Sequence, residues 1–228
     1  MNSSQSAIKK AFDRSAALAG LVVLSPILVL VAIGVRATSP GPALFIQERV
    51  GRHGRLFRCL KFRTMGTGAH LQGSVTTASD PRVTPFGRFL RRWKLDELPQ
   101  LWNVLTGRMS FVGPRPDVPG YADRLEGADR AVLGLLPGIT GPATLLFRDE
   151  ERLLARARDP KAFNDAVVYP EKLRINRAYL EEGTFWRDIG YLVATVWPSL
   201  TRRLGWDVRL GLDYDAFSAR MEQEAMRY

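Results

Sequence analysis

The sequence contains one cysteine and two histidines in 228 residues. Cys59 alone excludes an internal disulfide and a cysteine-based zinc site, and it is expected to pack as a small apolar residue. His53 and His70 are too few for an HExxH or histidine-cluster metal site, and His53 is predicted to lie in a turn. The length suits one domain, or one domain with an appendage, and 46% hydrophobic residues exclude a disordered or collagen-like chain.

Acidic residues are scarce in one part of the chain. Between Arg36 and Lys94 there are twelve lysines and arginines but only two acidic residues. This block accounts for the formal net charge of +10, because the charges of the two flanking segments cancel. A cationic block attracts polyanions such as nucleic acid, anionic lipid headgroups or phosphate-rich small substrates. Composition does not choose among these partners.

Charge is absent from residues 16–35, which read AALAGLVVLSPILVLVAIGV. A run of this length is about what a helix needs to cross a hydrocarbon layer of ~30 Å. Pro26 near its centre removes a backbone donor and must kink the helix, and the Ser25 hydroxyl can satisfy a freed carbonyl. Two half-helices of about ten residues could enter and leave by the same face, which the basic flanks favour. A kinked spanning helix is the alternative, and the residues alone leave both open.

A β-hairpin is predicted within the basic block. Segments 43–50 and 56–65 are rich in β-forming residues, and the five residues between them include two glycines. Lys61 and Arg63 lie two positions apart, so they are predicted to project from one side of the second strand. Residues 66–81 are predicted to form a loop.

The first acidic residues after the basic run are Asp96 and Glu97. A helix is predicted just before them, at residues 87–94, with three apolar residues on one face: Phe89, Leu90 and Trp93. Pro99 suits the first turn of another helix, and it is expected to push Leu98 into an extended conformation. The two carboxylates are therefore predicted at a bend beside the positive end of that helix. Charge complementation of the helix and catalysis are both open roles.

A rigid turn follows at residues 113–116, which read Gly-Pro-Arg-Pro. The two prolines fix the backbone around Arg115, so its side chain is presented with little backbone entropy left to lose. A guanidinium held in this way suits bidentate capture of phosphate. The alternative is an arginine that pairs with an acidic surface.

The segment 185–200 has apolar residues at helical spacing, but Asp188 and its neighbour interrupt them, so it is not predicted to span a membrane. Core packing and a helix lying in the membrane interface are both open, and Trp186 and Trp197 favour the interface. No role is assigned to Asp188. Residues 205–228 are predicted to form a peripheral helical tail.

Three motifs, KFRTM, LDELPQLWNVLTGRMSFVGPRP and PGITG, resemble those of the bacterial sugar transferase family, from about residue 12 to about residue 199. Members of this family are monotopic phosphoglycosyl transferases. The resemblance implies transfer of a sugar-1-phosphate from a UDP-sugar to polyprenyl phosphate, which gives polyprenyl-diphosphate-sugar and UMP at the first membrane step of glycan synthesis. It implies a mostly helical α+β fold with an N-terminal re-entrant helix-break-helix, a small β-hairpin and interfacial amphipathic helices.

The resemblance also assigns roles to residues. Asp96 is implied as the nucleophile that forms a covalent aspartyl-phosphosugar, and Glu97 as its partner. Mg²⁺ is implied as the cofactor, held by Asp96 and the diphosphate. The residues predicted to bind phosphate are Arg115, Arg91, Lys61 and Arg63.

The implied organisation has three parts: a re-entrant segment at residues 1–36 broken at Ser25 and Pro26, a catalytic domain at residues 37–204, and the tail. The chain looks like the small form of the family, without further N-terminal spanning helices. It is expected at the bacterial inner membrane, with the catalytic domain on the cytoplasmic face.

The expected partners are a UDP-sugar, polyprenyl phosphate and the lipid bilayer. A homodimer is left open, and nucleic acid is not expected because recognised binding motifs are missing from the sequence. Pro142 and Thr144 depart from the family pattern, so the sugar is not predicted. The alternatives to an enzyme are a membrane-tethered polyanion-binding protein and a scaffold for a partner glycosyltransferase.

Overall fold

A computed structural model describes residues 3–66, 68 and 80–228. The loop predicted at residues 66–81 falls mostly outside this description, as does His70. The described part is mostly helical with two small sheets, which confirms the α+β class. The strands are β1 (Leu44–Val50), β2 (Leu56–Phe62), β3 (Ser110–Val112) and β4 (Gly138–Thr140). The α-helices are α1 (Ser3–Val23), α2 (Ser25–Thr38), α3 (Pro85–Arg92), α4 (Gln100–Leu105), α5 (Pro142–Leu146), α6 (Glu150–Leu154), α7 (Pro160–Phe163), α8 (Tyr169–Glu182), α9 (Phe185–Val196), α10 (Pro198–Arg203), α11 (Trp206–Arg209) and α12 (Tyr214–Ala225).

Helices α1 and α2 form a bent pair, with 63° between them and only Leu24 separating them. Pro26 has no N–H to donate to the carbonyl of Val22, and the Ser25 hydroxyl donates to that carbonyl instead, at 2.8 Å. The predicted break is therefore confirmed. Among the described residues no single helix is long and apolar enough to cross a membrane, whereas the bent pair meets both conditions by length and composition.

The two helices are longer than the predicted half-helices, at 21 and 14 residues, and α1 packs against α4, α9 and β3. Ala17 is completely buried there. Lys9 forms an ion pair with Asp188 of α9 and donates to the carbonyl of Val112 at 3.0 Å. The hydroxyl of Tyr179 donates to the same aspartate at 2.6 Å. Asp188, which the sequence left without a role, thus anchors α1.

The hairpin of β1 and β2 is antiparallel and pairs Phe45 with Lys61 and Arg49 with Phe57. His53 lies in the turn at a φ of 60°, and Cys59 is 2% exposed in the core, so both predictions are confirmed. Strand β2 ends earlier than predicted, at residue 62.

Strands β3 and β4 pair in parallel and bring two distant segments into backbone contact. The N–H of Gly113 donates to the carbonyl of Thr140 at 2.9 Å. The approach is so close that a Cβ on Gly113 would lie 2.2 Å from the carbonyl oxygen of Leu136, and one on Gly138 would lie 2.2 Å from the Gly113 nitrogen. This pairing fixes the backbone two residues before Arg115.

The C-terminal tail is part of the core, contrary to the peripheral placement that the sequence predicts. Helix α12 has Phe217, Met221 and Ala225 at a spacing of four, and all three are buried in one cluster with α5 to α8. The ring of Phe217 meets that of Phe147 edge to face, with 4.9 Å between centroids. A four-residue spacing places these side chains on one helical face, which explains the docking.

The tryptophan side chains of the fold are exposed on its surface. Helix α9 buries Asp188, Tyr191 and Ala194, whereas Trp186 and Trp197 are 77% and 60% exposed. The apolar face predicted for the helix before the carboxylates is also divided. Leu90 of this face is buried, whereas Phe89 and Trp93 are exposed. All five tryptophans of the chain are at least 42% exposed, although tryptophan is usually highly buried.

Candidate active site

Asp96 and Glu97 lie in a 3₁₀ turn, Leu95–Glu97, that connects α3 to α4. Lys94 before the turn has a φ of 54°, a left-handed conformation that is uncommon for residues other than glycine. This residue separates the end of α3 from the 3₁₀ turn. Both carboxylates are buried, at 7% and 8% exposure, rather than presented on the surface.

The turn continues directly into α4, which corrects one local prediction. Leu98 is helical, with φ −54° and ψ −35°, although a residue before proline prefers an extended conformation. Its N–H donates to the carbonyl of Leu95 at 3.3 Å, so the hydrogen bond of the turn outweighs the preference set by Pro99.

Helix α4 is held against the hairpin by one buried side chain. The amide of Asn103 donates to the carbonyl of Arg58 at 2.8 Å, and its oxygen accepts from the N–H of Leu60 at 3.0 Å. These bonds fix the edge of β2 relative to the 3₁₀ turn. The next residue of the strand, Lys61, therefore lies beside the carboxylates.

Glu97 is surrounded by cations. Arg115 donates to both of its oxygens, at 2.5 and 3.4 Å, and the ammonium of Lys61 lies 3.3 Å from Oε1. Burial alone would raise the pKa of Glu97, but Arg115 and Lys61 overcome it and hold the pKa well below its usual range. Glu97 is therefore ionised, and it fixes both cations in place.

Asp96 has the opposite environment. Its Oδ1 atom is buried and has no hydrogen-bond partner in the described structure. Burial raises the pKa of Asp96, the negative charge of Glu97 raises it further, and Lys61 opposes both. A buried carboxylate oxygen without a partner costs stability, so its presence points to a functional atom.

The residues at this turn fit Mg²⁺. The described residues contain no group of three or more His, Cys, Asp or Glu side chains suited to a metal. Mg²⁺ is commonly held by one or two carboxylates while substrate phosphates and water complete its shell. The unpartnered oxygen of Asp96 suits that arrangement, whereas Glu97 is engaged by Arg115.

The other two predicted phosphate ligands are placed differently. The Nε of Arg91 donates to the hydroxyl of Thr64 at 3.0 Å, and the positive charge of Arg91 acts on Asp96. Arg63 is buried, and it donates to the carbonyls of Ser39 and Pro40 after α2. The structure thus gathers Asp96, Glu97, Lys61 and Arg115 with Arg91 nearby, but it leaves Arg63 outside this group.

Sequence reasoning missed Arg49, which it counted only among the cations of the hairpin. Register and alternation put Arg49 on the same face of the hairpin as Lys61. Its guanidinium donates to the carbonyl of Pro116 at 3.1 Å. Burial lowers the pKa of Arg49, and the nearby charge of Arg115 lowers it further. The two-residue alternation along β1 was the available signal.

The two carboxylates and the cations around them line an open cavity of about 2210 Å³, which extends from the carboxylates to α5 and α8. Pockets for drug-sized ligands are typically ~300–1,000 Å³. The cavity is thus large enough for more than one small substrate. Its cationic end, with a buried carboxylate among arginines and lysines, suits chemistry on phosphate.

Comparisons with known proteins agree with this chemistry. The model of the family described as "Bacterial sugar transferase" matches residues 4–202. An undecaprenyl-phosphate glucose phosphotransferase of Komagataeibacter xylinus is 49% identical over 113 residues, which are 49% of this chain and 21% of that protein. A UDP-glucose:undecaprenyl-phosphate glucose-1-phosphate transferase of Escherichia coli is 34% identical over 201 residues, and an undecaprenyl-phosphate galactose phosphotransferase of Salmonella typhimurium is 33% identical over 211. Each of these two alignments covers 86% of this chain and 41% of the relative, so the chain spans about two-fifths of their length.

Proposed function

Because the chain belongs to the bacterial sugar transferase family, we propose that it transfers a sugar-1-phosphate from a UDP-sugar to undecaprenyl or another polyprenyl phosphate. The products would be polyprenyl-diphosphate-sugar and UMP. The observation that carries this proposal is the buried, unpartnered oxygen of Asp96 beside the cluster of Glu97, Lys61 and Arg115. That arrangement combines one reactive carboxylate with fixed donors for phosphate oxygens.

The reaction proceeds in two displacements at the β-phosphorus of the donor. An oxygen of Asp96 attacks this phosphorus, the bond to the bridging oxygen breaks, and UMP leaves with that oxygen. The acyl phosphate formed is activated for a second attack. An oxygen of the polyprenyl phosphate then attacks the same phosphorus, and the Asp96 carboxylate is released.

The residues around Asp96 support both displacements. Arg115 is held by Glu97 at the edge of the cavity, with its side chain 38% exposed, so it can donate to a phosphate oxygen. Lys61 and Arg91 add positive charge where the transition states concentrate negative charge. Glu97 acts by positioning these cations, because its low pKa keeps it ionised. Mg²⁺ held by Asp96 and the diphosphate would neutralise charge on the donor.

The cavity is accessible to both a soluble nucleotide sugar and a lipid phosphate if the protein lies at a membrane surface. The exposed apolar residues of α1 and α2 and the exposed tryptophans suit contact with lipid. The bend between α1 and α2 supports a re-entrant segment. We place this segment in the bacterial inner membrane, with the catalytic part on the cytoplasmic face. A soluble nucleotide sugar and a lipid phosphate can then reach the same carboxylate in turn.

The test measures UMP release from a panel of UDP-sugars by the protein reconstituted in lipid with undecaprenyl phosphate. We expect one UDP-sugar to be consumed with ping-pong kinetics, and we expect Asp96→Asn to lower turnover at least about a thousandfold, as loss of a nucleophile does. The matched control is Asp215→Asn, an exposed aspartate on α12, which should leave turnover unchanged.

The covalent intermediate has its own readout. Without acceptor, wild-type protein should release at most one UMP per molecule and gain the mass of a phosphosugar after acid quenching. Near-normal turnover by Asp96→Asn would contradict the two-displacement mechanism, and no UMP release from any UDP-sugar would contradict the proposed reaction.

A further inference from the structure

Three neutral side chains that line the cavity each bury a polar atom without a hydrogen-bond partner. The atoms are Oγ1 of Thr144, the hydroxyl of Tyr169 and Oδ1 of Asn176. Buried polar groups in native proteins are nearly always hydrogen-bonded, so each such exception calls for an explanation. Three of them in one cavity indicate a ligand that supplies the missing partners.

Two neighbouring helices present these atoms together. Tyr169 and Asn176 are seven residues apart on α8, with Lys172 between them, and this spacing puts all three on one helical face. Thr144 lies on α5, which packs against α8. All four residues line the cavity that contains Asp96. The unpartnered atoms therefore belong to a single wall.

The wall differs in charge from the phosphate-binding end. Asp117 follows Arg115 by two residues and lines the same cavity, and burial raises the pKa of Asp117 to about 6 although Lys172 lowers it. Lys172 is already paired with Glu150 at 2.6 Å. Burial raises the pKa of Tyr169, and the charge of Asp117 and the closeness of its carboxyl group to the Tyr169 hydroxyl raise it further. Because Glu150 already balances the charge of Lys172 and Asp117 lies nearby, this wall disfavours binding of a second phosphate group and favours uncharged hydroxyl groups.

We propose that Thr144, Tyr169 and Asn176 form a subsite that binds hydroxyl groups of the nucleotide-sugar donor. The inference rests on the proposed function. A sugar hydroxyl can both donate and accept, so it can donate to the Asn176 oxygen and accept from the hydroxyl of Tyr169 or Thr144. The hydroxyl groups belong either to the transferred hexose or to the ribose of the nucleotide.

The test removes single hydroxyls without changing shape, by Tyr169→Phe and Thr144→Val. Each variant should raise the KM for the UDP-sugar about three- to tenfold, the effect of one lost neutral hydrogen bond. The KM for polyprenyl phosphate should not change. For Thr144→Val the melting temperature should stay the same or rise, because a buried group without a partner is removed. For Tyr169→Phe the loss of the interaction with Asp117 opposes that gain.

Tyr214→Phe is the matched control. The hydroxyl of Tyr214 is also buried without a hydrogen-bond partner, but it is not part of the cavity wall and its ring lies under Arg202, 4.8 Å from the guanidinium carbon. This variant should leave the donor KM unchanged. A general effect of removing a buried tyrosine hydroxyl would appear in both tyrosine variants.

Two further measurements locate the hydroxyl groups. If they belong to the hexose, the variants change the ranking of UDP-sugar epimers and leave inhibition by UMP unchanged. If they belong to the ribose, every donor weakens by the same factor and inhibition by UMP weakens with it. An unchanged donor KM in both cavity variants, with wild-type protein active, would overturn the subsite alone. Failure of wild-type protein to use any UDP-sugar would overturn the proposed function as well.

Discussion

Asp96 and Asp188 are both buried and both have raised pKa values, yet their surroundings differ. Asp188 receives hydrogen bonds from Lys9 and Tyr179. Asp96 has an oxygen with no partner, and the neighbouring Glu97 adds a second negative charge. Hydrogen bonds from Lys9 and Tyr179 offset part of the cost of burying Asp188, whereas Oδ1 of Asp96 receives no such bond. Asp188 therefore holds α1 in place, and Asp96 has the environment expected for the nucleophile that we propose.

Asp96→Asn should unfold at a higher temperature than the wild type although it is inactive. Because the folded-state pKa of Asp96 is raised, the free energy of unfolding falls as the pH rises from the unfolded pKa of 3.8 through the folded value. Removing the carboxylate should add about 1 kcal/mol, or roughly 2–4 °C in Tm for a chain of this size. Scanning calorimetry at neutral pH and near pH 4 should show the gain shrinking as the pH falls.

Asp188→Asn is the matched comparison for that measurement. It leaves the buried ammonium of Lys9 without its charged partner, so it should lower stability by about 3 kcal/mol. A gain of the same size in both aspartate variants would contradict the distinction drawn between them.

Glu97→Gln should have the reverse pH dependence. Its pKa is held low by Arg115 and Lys61, so the carboxylate contributes stability above its unfolded pKa of 4.5 and loses it as the pH falls through the folded value. At neutral pH the variant should be less stable by about 1–2 kcal/mol, a range reduced because the Arg115 side chain is partly exposed. Denaturant titrations should show that the difference narrows in acid. A constant difference across pH would contradict this account.

At the residue scale, the sequence could predict what neighbouring residues determine. The motif assigned Asp96 and Glu97, and two prolines marked Arg115. Arg49 was not found because its contact depends on the register of the hairpin, which a five-residue turn does not fix. Arg63 was grouped with the site because β2 was predicted to continue past residue 62, where the strand ends.

At the scale of elements, the pairing of β3 with β4 positions Arg115. Gly113→Ala should destabilise the protein by about 4 kcal/mol or more and reduce activity, since its Cβ would lie 2.2 Å from a backbone oxygen that cannot move freely. Gly134→Ala is the control, because a Cβ there meets nothing within 4 Å, and it should be neutral or slightly stabilising. Thermal melts and UMP release should separate the two variants. Equal stability would show that β3 and β4 do not fix the site.

Elements differ in how far sequence could place them. The break between α1 and α2 was predictable, because Pro26 acts on a carbonyl four residues away and Ser25 satisfies it. The docking of α12 was not, because Phe217 meets Phe147, seventy residues earlier in the chain. Local hydrogen bonding can be inferred from adjacent residues, whereas the docking position of a helical face can be predicted only when the surface that it packs against is known.

For the whole molecule, the net charge of +10 and the exposed apolar residues predict two components of membrane binding. The electrostatic part should weaken at about 1 M salt, where the screening length is roughly 3 Å, and the apolar part should persist. Replacing Val29, Leu30 and Ile33 of α2 by serine should abolish only the salt-resistant part, because these side chains are 57–67% exposed and contribute little to the core. Val208→Ser, on an equally exposed residue of α11, tests whether any exposed apolar residue suffices, and it should retain binding. Co-sedimentation with vesicles containing anionic lipid measures both parts. Complete release of the wild-type protein at high salt would mean that α1 and α2 do not enter the bilayer.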